Sequence, residues 1–177
     1  MHSVRNAVDI RQRLTQAVRP LEERFPSVAD HPLDDAIDQM PTSRGFISML
    51  EAYRATGGLA PGNFLCQALQ EHQRGDFNHL ASLIVDRRIF ALDWRGDSWI
   101  PMFQFNVEDL SCKPAPAQVR AELEGLASGW TIAAWFAQPN PLLEGRRPVN
   151  LIEADLPHVL HAARCRSMSP GHGIARA

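Results

Sequence analysis

The chain has 177 residues, 45% of them hydrophobic, with 18 basic side chains against 20 acidic ones. That apolar content can bury one sizeable core. The near balance of charge excludes bulk electrostatics as a means of holding nucleic acid and leaves only local basic patches. The longest apolar runs, residues 80–85 and 132–137, fall far short of the roughly 20 residues that cross a bilayer, so no membrane partner is expected.

The first residues, MHSVRNAVDIRQRL, lack the apolar stretch of about 7–15 residues that marks a secretory leader, and a cytoplasmic location is expected. From Val4 to Phe25 apolar residues return at Val4, Val8, Leu14, Val18, Leu21 and Phe25, the pattern of an amphipathic helix, with a bend near Pro20. The polar, proline-marked stretch over residues 26–41 reads as a linker. Thr42 or Ser43 can cap the next helix, whose face of Phe46, Ile47, Leu50 and Tyr53 stops at Gly57-Gly58. Pro61 suits the first turn of a further helix through Leu65 and Leu69, stopped at Gly75. Asp76 can then cap a helix over residues 78–88. So short a link between two helices invites a helix-turn-helix reading, in which Arg74, Asn78, His79, Arg87 and Arg88 would meet operator DNA. Ordinary packed helices have links of the same length, and Arg87 with Arg88 equally suits a solvated helix end.

At Ile89 the pattern changes. IFALDW, RGDS and WIPMFQF predict one β-hairpin at about residues 89–105, with Pro101 on an edge or at an interruption. Trp94 and Trp99 are expected to pack across it, and Arg95-Gly96-Asp97 reads as a turn rather than an integrin-binding string. Helices are expected over residues 117–126 and 130–138, separated by Ser128-Gly129. Pro139-Asn140-Pro141 must end the second, because proline disfavours helical geometry in the residue before it. Asn140 can bond its own turn, and Gly145 can supply a positive φ. Pro148 opens a short segment to Glu153, and Asp155 or Pro157 opens a last helix before a Ser/Pro/Gly-rich tail expected to be flexible. The expected fold is mainly α: a helical bundle with one hairpin between an N-terminal helical region and a C-terminal helical domain. Its segments are residues 1–41 (helix and linker), 42–88 (helical), 89–166 (hairpin plus helices) and 167–177 (tail).

Chemistry-bearing patterns are sparse. Cys66, Cys112 and Cys165 are odd in number and widely spaced, which fits reduced thiols. His158, His161 and Cys165 share a helix face, but a fourth ligand is missing nearby, so no metal site is assigned. Asp34, Asp35 and Asp38, and likewise Glu122 and Glu124, have no nucleophile or substrate clamp beside them and read as solvated faces. No glycine-rich nucleotide loop is present, and neither a cofactor nor a catalytic residue is expected. Arginine supplies 17 of the basic residues and Lys113 the other, which suits fork-shaped hydrogen bonding but is first a matter of composition.

What stands out is the aromatic and proline architecture: Pro101, Phe103, Gln104 and Phe105, then Trp130, Trp135, Pro139, Asn140, Leu143, Gly145 and Pro148. In this order, a hairpin, a helix, a Trp-Phe before Pro-Asn, and a closing helix, the chain resembles the Xre/MbcA/ParS-like antitoxin family in its toxin-binding domain. The match runs from Leu80 to Arg166, roughly half the chain. The resemblance implies a non-enzymatic antitoxin that masks a cognate protein toxin, commonly of the NAD-consuming RES type, and that represses its own operon, with a homodimer open as its assembly. It implies toxin contacts from the last helix and its neighbours, at His161, Arg164, Arg166, Arg146 and Arg147. The alternative is a stand-alone DNA-binding transcriptional regulator; an enzyme with an unrecognised site ranks last.

Overall fold

A computed structural model describes residues 42–123, 126 and 128–167. The helix and linker expected over residues 1–41, the carboxylates of Asp34, Asp35, Asp38 and Glu124, and the tail after Ser167 lie outside the described residues. Within them the fold is mainly α-helical with a small antiparallel sheet.

Helix α1 (Ser43–Tyr53) starts where the Thr42 hydroxyl accepts a hydrogen bond from the Gly45 amide at 3.1 Å. This satisfies one of the amides that a helix start leaves orphaned. Its apolar face, including Phe46, Leu50 and Tyr53, is buried. The chain reverses at Gly57 and Gly58, whose φ angles of 106° and 80° favour glycine. Strand β1 (Leu59–Pro61) follows, where a helical first turn was expected at Pro61. Three residues are too few to show an alternation, and their extended form is set by pairing with a strand 40 residues later.

Helix α2 (Gly62–Glu71) ends before Gly75, because Gln73 takes a φ of 55° and the Arg74 amide bonds back to the Leu69 carbonyl at 2.8 Å. In helix α3 (Phe77–Val85) the Asp76 carboxylate accepts from the His79 amide at 3.0 Å, as its position predicts. The C-terminus of α3 closes in the same way as that of α2, with Arg87 at φ 58° and the Arg88 amide on the Leu83 carbonyl at 2.9 Å.

Strands β2 (Leu92–Trp94) and β3 (Asp97–Pro101) form the expected hairpin, but a shorter one, and the sheet order is β1-β3-β2. Arg95 and Gly96 take φ angles of 51° and 87°, the mirror-image turn that matches strand twist, so the Arg-Gly-Asp string is a hairpin turn. Residues 102–104 do not extend β3 to Phe105; they coil into a 3-10 turn. Gln104 is the cause. Its side chain, 1% exposed, accepts from the Phe90 amide at 2.8 Å and donates to the carbonyls of Phe90 at 2.9 Å and Pro101 at 3.1 Å. Trp94 and Trp99 both pack on Phe46, at ring distances of 5.0 and 4.9 Å, so a helix residue mediates the aromatic contact expected directly across the strands.

Helix α4 (Pro114–Glu122) is followed by α5 (Gly129–Ala137), capped by the Ser128 hydroxyl accepting from the Thr131 amide at 3.1 Å. Seven of its nine residues are buried, and α5 packs against α1, strand β2 and the segment that follows it. The Tyr53 hydroxyl donates to the Ala133 carbonyl at 2.7 Å, joining α1 to α5 across 80 residues of chain. A 3-10 turn (Pro141–Leu143), a short helix α6 (Pro148–Leu151) and the last helix α7 (Leu156–Ser167) complete the order.

Replacing Gln104 by Leu keeps the volume roughly and leaves three buried backbone groups without partners, each costing about 1–3 kcal/mol. The variant is expected to lose on the order of 3–5 kcal/mol in urea unfolding; a loss below about 1 kcal/mol would show that water or relaxation replaces these bonds.

Candidate functional site

The residues that carry the family resemblance are framework. Pro101, Phe103, Gln104, Phe105, Trp130, Trp135, Leu143 and Pro148 are buried. Pro139, Asn140 and Gly145 form the loop between α5 and α6. There the Asn140 side chain accepts from the Leu142 amide at 2.9 Å, its carbonyl accepts from the Gly145 amide at 3.0 Å, and Gly145 sits at φ 75°. This loop packs on α7 through the Pro141–Leu143 turn, and α7 also packs on α4. The motif loop and α4 together place α7.

Helix α7 buries Val159, Ala162 and Ala163 and exposes His158, His161, Arg164 and Arg166. Asp155, just before its start, accepts from the His158 ring at 2.7 Å and from the His158 backbone amide, and these bonds hold its carboxyl below the usual range. Arg146 adds a smaller effect in the same direction, which places it near the N-terminal end of α7. Arg164 and Arg166 lie at the opposite end, about 15 Å away at 1.5 Å per residue. The residues expected to bind a toxin are thus spread from one end of α7 to the other rather than clustered at one point. Arg164 donates to Glu122 at 2.8 Å, Arg146 donates to Glu144 at 3.2 Å, and half-buried Arg147 precedes the first turn of α6. His161 faces the Cys165 thiol, with Nε2 3.6 Å from Sγ. Among the described residues no group of three or more His, Cys, Asp or Glu side chains is placed to hold a metal.

The residues expected at DNA face different neighbours. Arg74 donates to Asp109 at 2.7 Å. Arg88 lies near Cys112, whose thiol is pushed up by burial and pulled slightly back by the guanidinium. Arg87 lines a cleft beneath α3, while Asn78 and His79 are exposed in its first turn. The remaining outward surface of α3 is uncharged: Phe77 is 69% and Val85 78% exposed, with Ser82 between them. Phe77 also borders a groove of about 540 Å³ between α2, α3 and the hairpin turn.

Sequence reading missed Arg120. It shares the cleft of about 530 Å³ with Arg87, and its Nε is buried without a hydrogen-bond partner. The two arginines lie 33 positions apart in chain segments with no common pattern, and each alone looks like a solvated helix residue. Compared with family models, curated proteins and solved structures, the chain matches none. No described helix is long and apolar enough to cross a membrane.

The hydrogen bonds at Asp155 lower its folded pKa, so their stabilising effect is present above the ordinary carboxylate range and is lost as pH falls through the depressed value. Carbon NMR titration is expected to find the Asp155 carboxyl below the usual range and to move it upward in His158→Ala. An Asp155 that titrates as a free carboxylate would refute this pairing.

Proposed function

We propose that the chain is an antitoxin-like binding protein that neutralises a cognate toxin through the outer face of α7, with a cytoplasmic site of action. The toxin would be of the NAD-consuming RES type if the chain follows the family it resembles. The observation that carries this reading is the division of labour between the motif and the helix it helps to position. Buried motif residues anchor the inner side of α7, and the outer side offers His161, Arg164 and Arg166 to a partner. In the Arg164–Glu122 pair Arg164 is exposed and Glu122 partly so, at 55% and 32%, and surface pairs of this kind are worth about 0–1 kcal/mol, so the pair itself does little to hold Arg164 back from a partner's carboxylate. Arg166 is exposed in the last turn and well suited to bidentate contact with an acidic group. This reading assigns no catalytic residue and no cofactor.

A second reading, a DNA-binding regulator, is favoured by connectivity. Helix, strand, helix, helix and hairpin, with sheet order β1-β3-β2, is the order of a winged helix-turn-helix, with α3 in the recognition position. It ranks second because the outward face of α3 carries no basic residue other than His79, and phosphate neutralisation supplies most of the affinity for DNA.

Co-expression with the product of the adjacent gene is expected to give a co-purifying complex and rescue from growth arrest. The double variant His161→Glu, Arg166→Glu should weaken that complex by about 2–5 kcal/mol while leaving the circular dichroism spectrum unchanged. Full rescue by this variant sinks the assignment of the α7 face. For the second reading, gel shifts over a salt series with the upstream operator fragment decide: binding that falls steeply with salt supports DNA recognition, and its absence removes it.

A further inference from the structure

The cleft of about 530 Å³ lies where α3, the segment leading into β2, α4 and the start of α5 meet. Its polar lining is unusual in charge: Arg87 and Arg120 share it, and Asp86 is the one carboxylate among the described lining residues. The Nε of Arg120 is buried and has no hydrogen-bond partner. The Arg87 guanidinium likewise makes no ion pair or hydrogen bond among the described residues. A buried donor left unpaired is costly, and two facing guanidiniums add repulsion to that cost. Both effects act on Arg120, whose pKa is pushed down from its ordinary value first by burial and then by the charge of Arg87.

The start of α5 also favours an anion in the cleft. Ser128 and Gly129, at the N-terminus of the nine-residue helix α5, line it too, and the positive end of that helix dipole adds to the field. Gly129 cannot carry a side chain: a Cβ there would lie 1.7 Å from the Ala91 carbonyl oxygen, so the helix start is pressed against the wall of the cleft. Ile89, Leu123 and Ile132 stand behind this lining almost wholly buried, so the surface open to a ligand is mainly polar.

We propose that this cleft binds a small oxyanion, a phosphate- or carboxylate-bearing molecule whose head is held by Arg87 and Arg120. Guanidinium forks match the pair of oxygens that either head presents, and an oxyanion between the two arginines would offset their mutual repulsion. The volume is in the range of small-molecule sites, roughly 300–1,000 Å³. This site is independent of the α7 face and stands or falls separately from it.

The test follows the Arg120 Nε–H resonance of the full chain by nitrogen–proton NMR during titration with phenyl phosphate or benzoate, against sodium chloride at equal ionic strength. Arg120→Gln assigns the resonance. A saturable shift with either anion, absent with chloride, is expected, and comparison of the two identifies the preferred head. Arg87→Gly should weaken binding at least about tenfold. This variant removes one guanidinium and suits the local φ, so it remains informative if Arg120→Gln fails to fold. The exposed control Arg44→Gln should bind as the parent does. The proposal is overturned if neither anion gives a saturable shift, if chloride reproduces it, or if Arg87→Gly binds with unchanged affinity.

Discussion

The rest of the structure depends on the side chain of Gln104 closing on both backbone groups of Phe90. That pair of bonds ends β3 at Pro101 and coils the next residues into a single turn. The turn then shares its residues between two apolar clusters: Phe103 joins the one built around α1 and α5, whereas Met102 and Phe105 join the one built on α2, α3 and Leu110. The glutamine satisfies backbone that the sheet cannot reach, and so lets one short segment hold two cores together.

Features governed by neighbours in sequence were legible before any coordinates. The caps at Thr42 and Asp76 were readable, as were the Arg95-Gly96 hairpin turn, the helix stop at Pro139 and the closed loop at Asn140 and Gly145. Each is decided by a side chain acting within three or four residues of its own backbone. Features decided by distant partners were not legible. Strand β1 exists because Leu59 and Ala60 meet Pro101 and Ile100, and nothing in three residues announces that. The mediating role of Phe46 between two tryptophans, and the meeting of Arg87 with Arg120, likewise arise from packing between elements. The same distinction separates the motif from the outer face of α7. Motif residues are recognisable as a string because the interior constrains their type and spacing, while α7 presents its outer residues to solvent, where spacing carries little information.

Several basic side chains on the described surface are answered locally: Arg74 by Asp109, Arg146 by Glu144, Arg164 by Glu122. No single positive field results, and steering of a large polyanion from a distance is correspondingly weak. Short-range matching of individual guanidiniums to individual acids is the mode of recognition such a surface supports, and it suits a folded partner better than a uniform phosphate backbone.

The hydrogen bond from Tyr53 to Ala133 joins the first described helix to α5, and Phe46 lies in the same cluster as Trp130 and Ile132. A chain cut between residues 88 and 89 would leave the buried faces of both pieces facing water. The helical N-terminal part and the motif-bearing C-terminal part are therefore not interchangeable cassettes. Recombination that joined either one to a foreign partner would have to rebuild the α1–α5 seam, and the two are expected to have been inherited together.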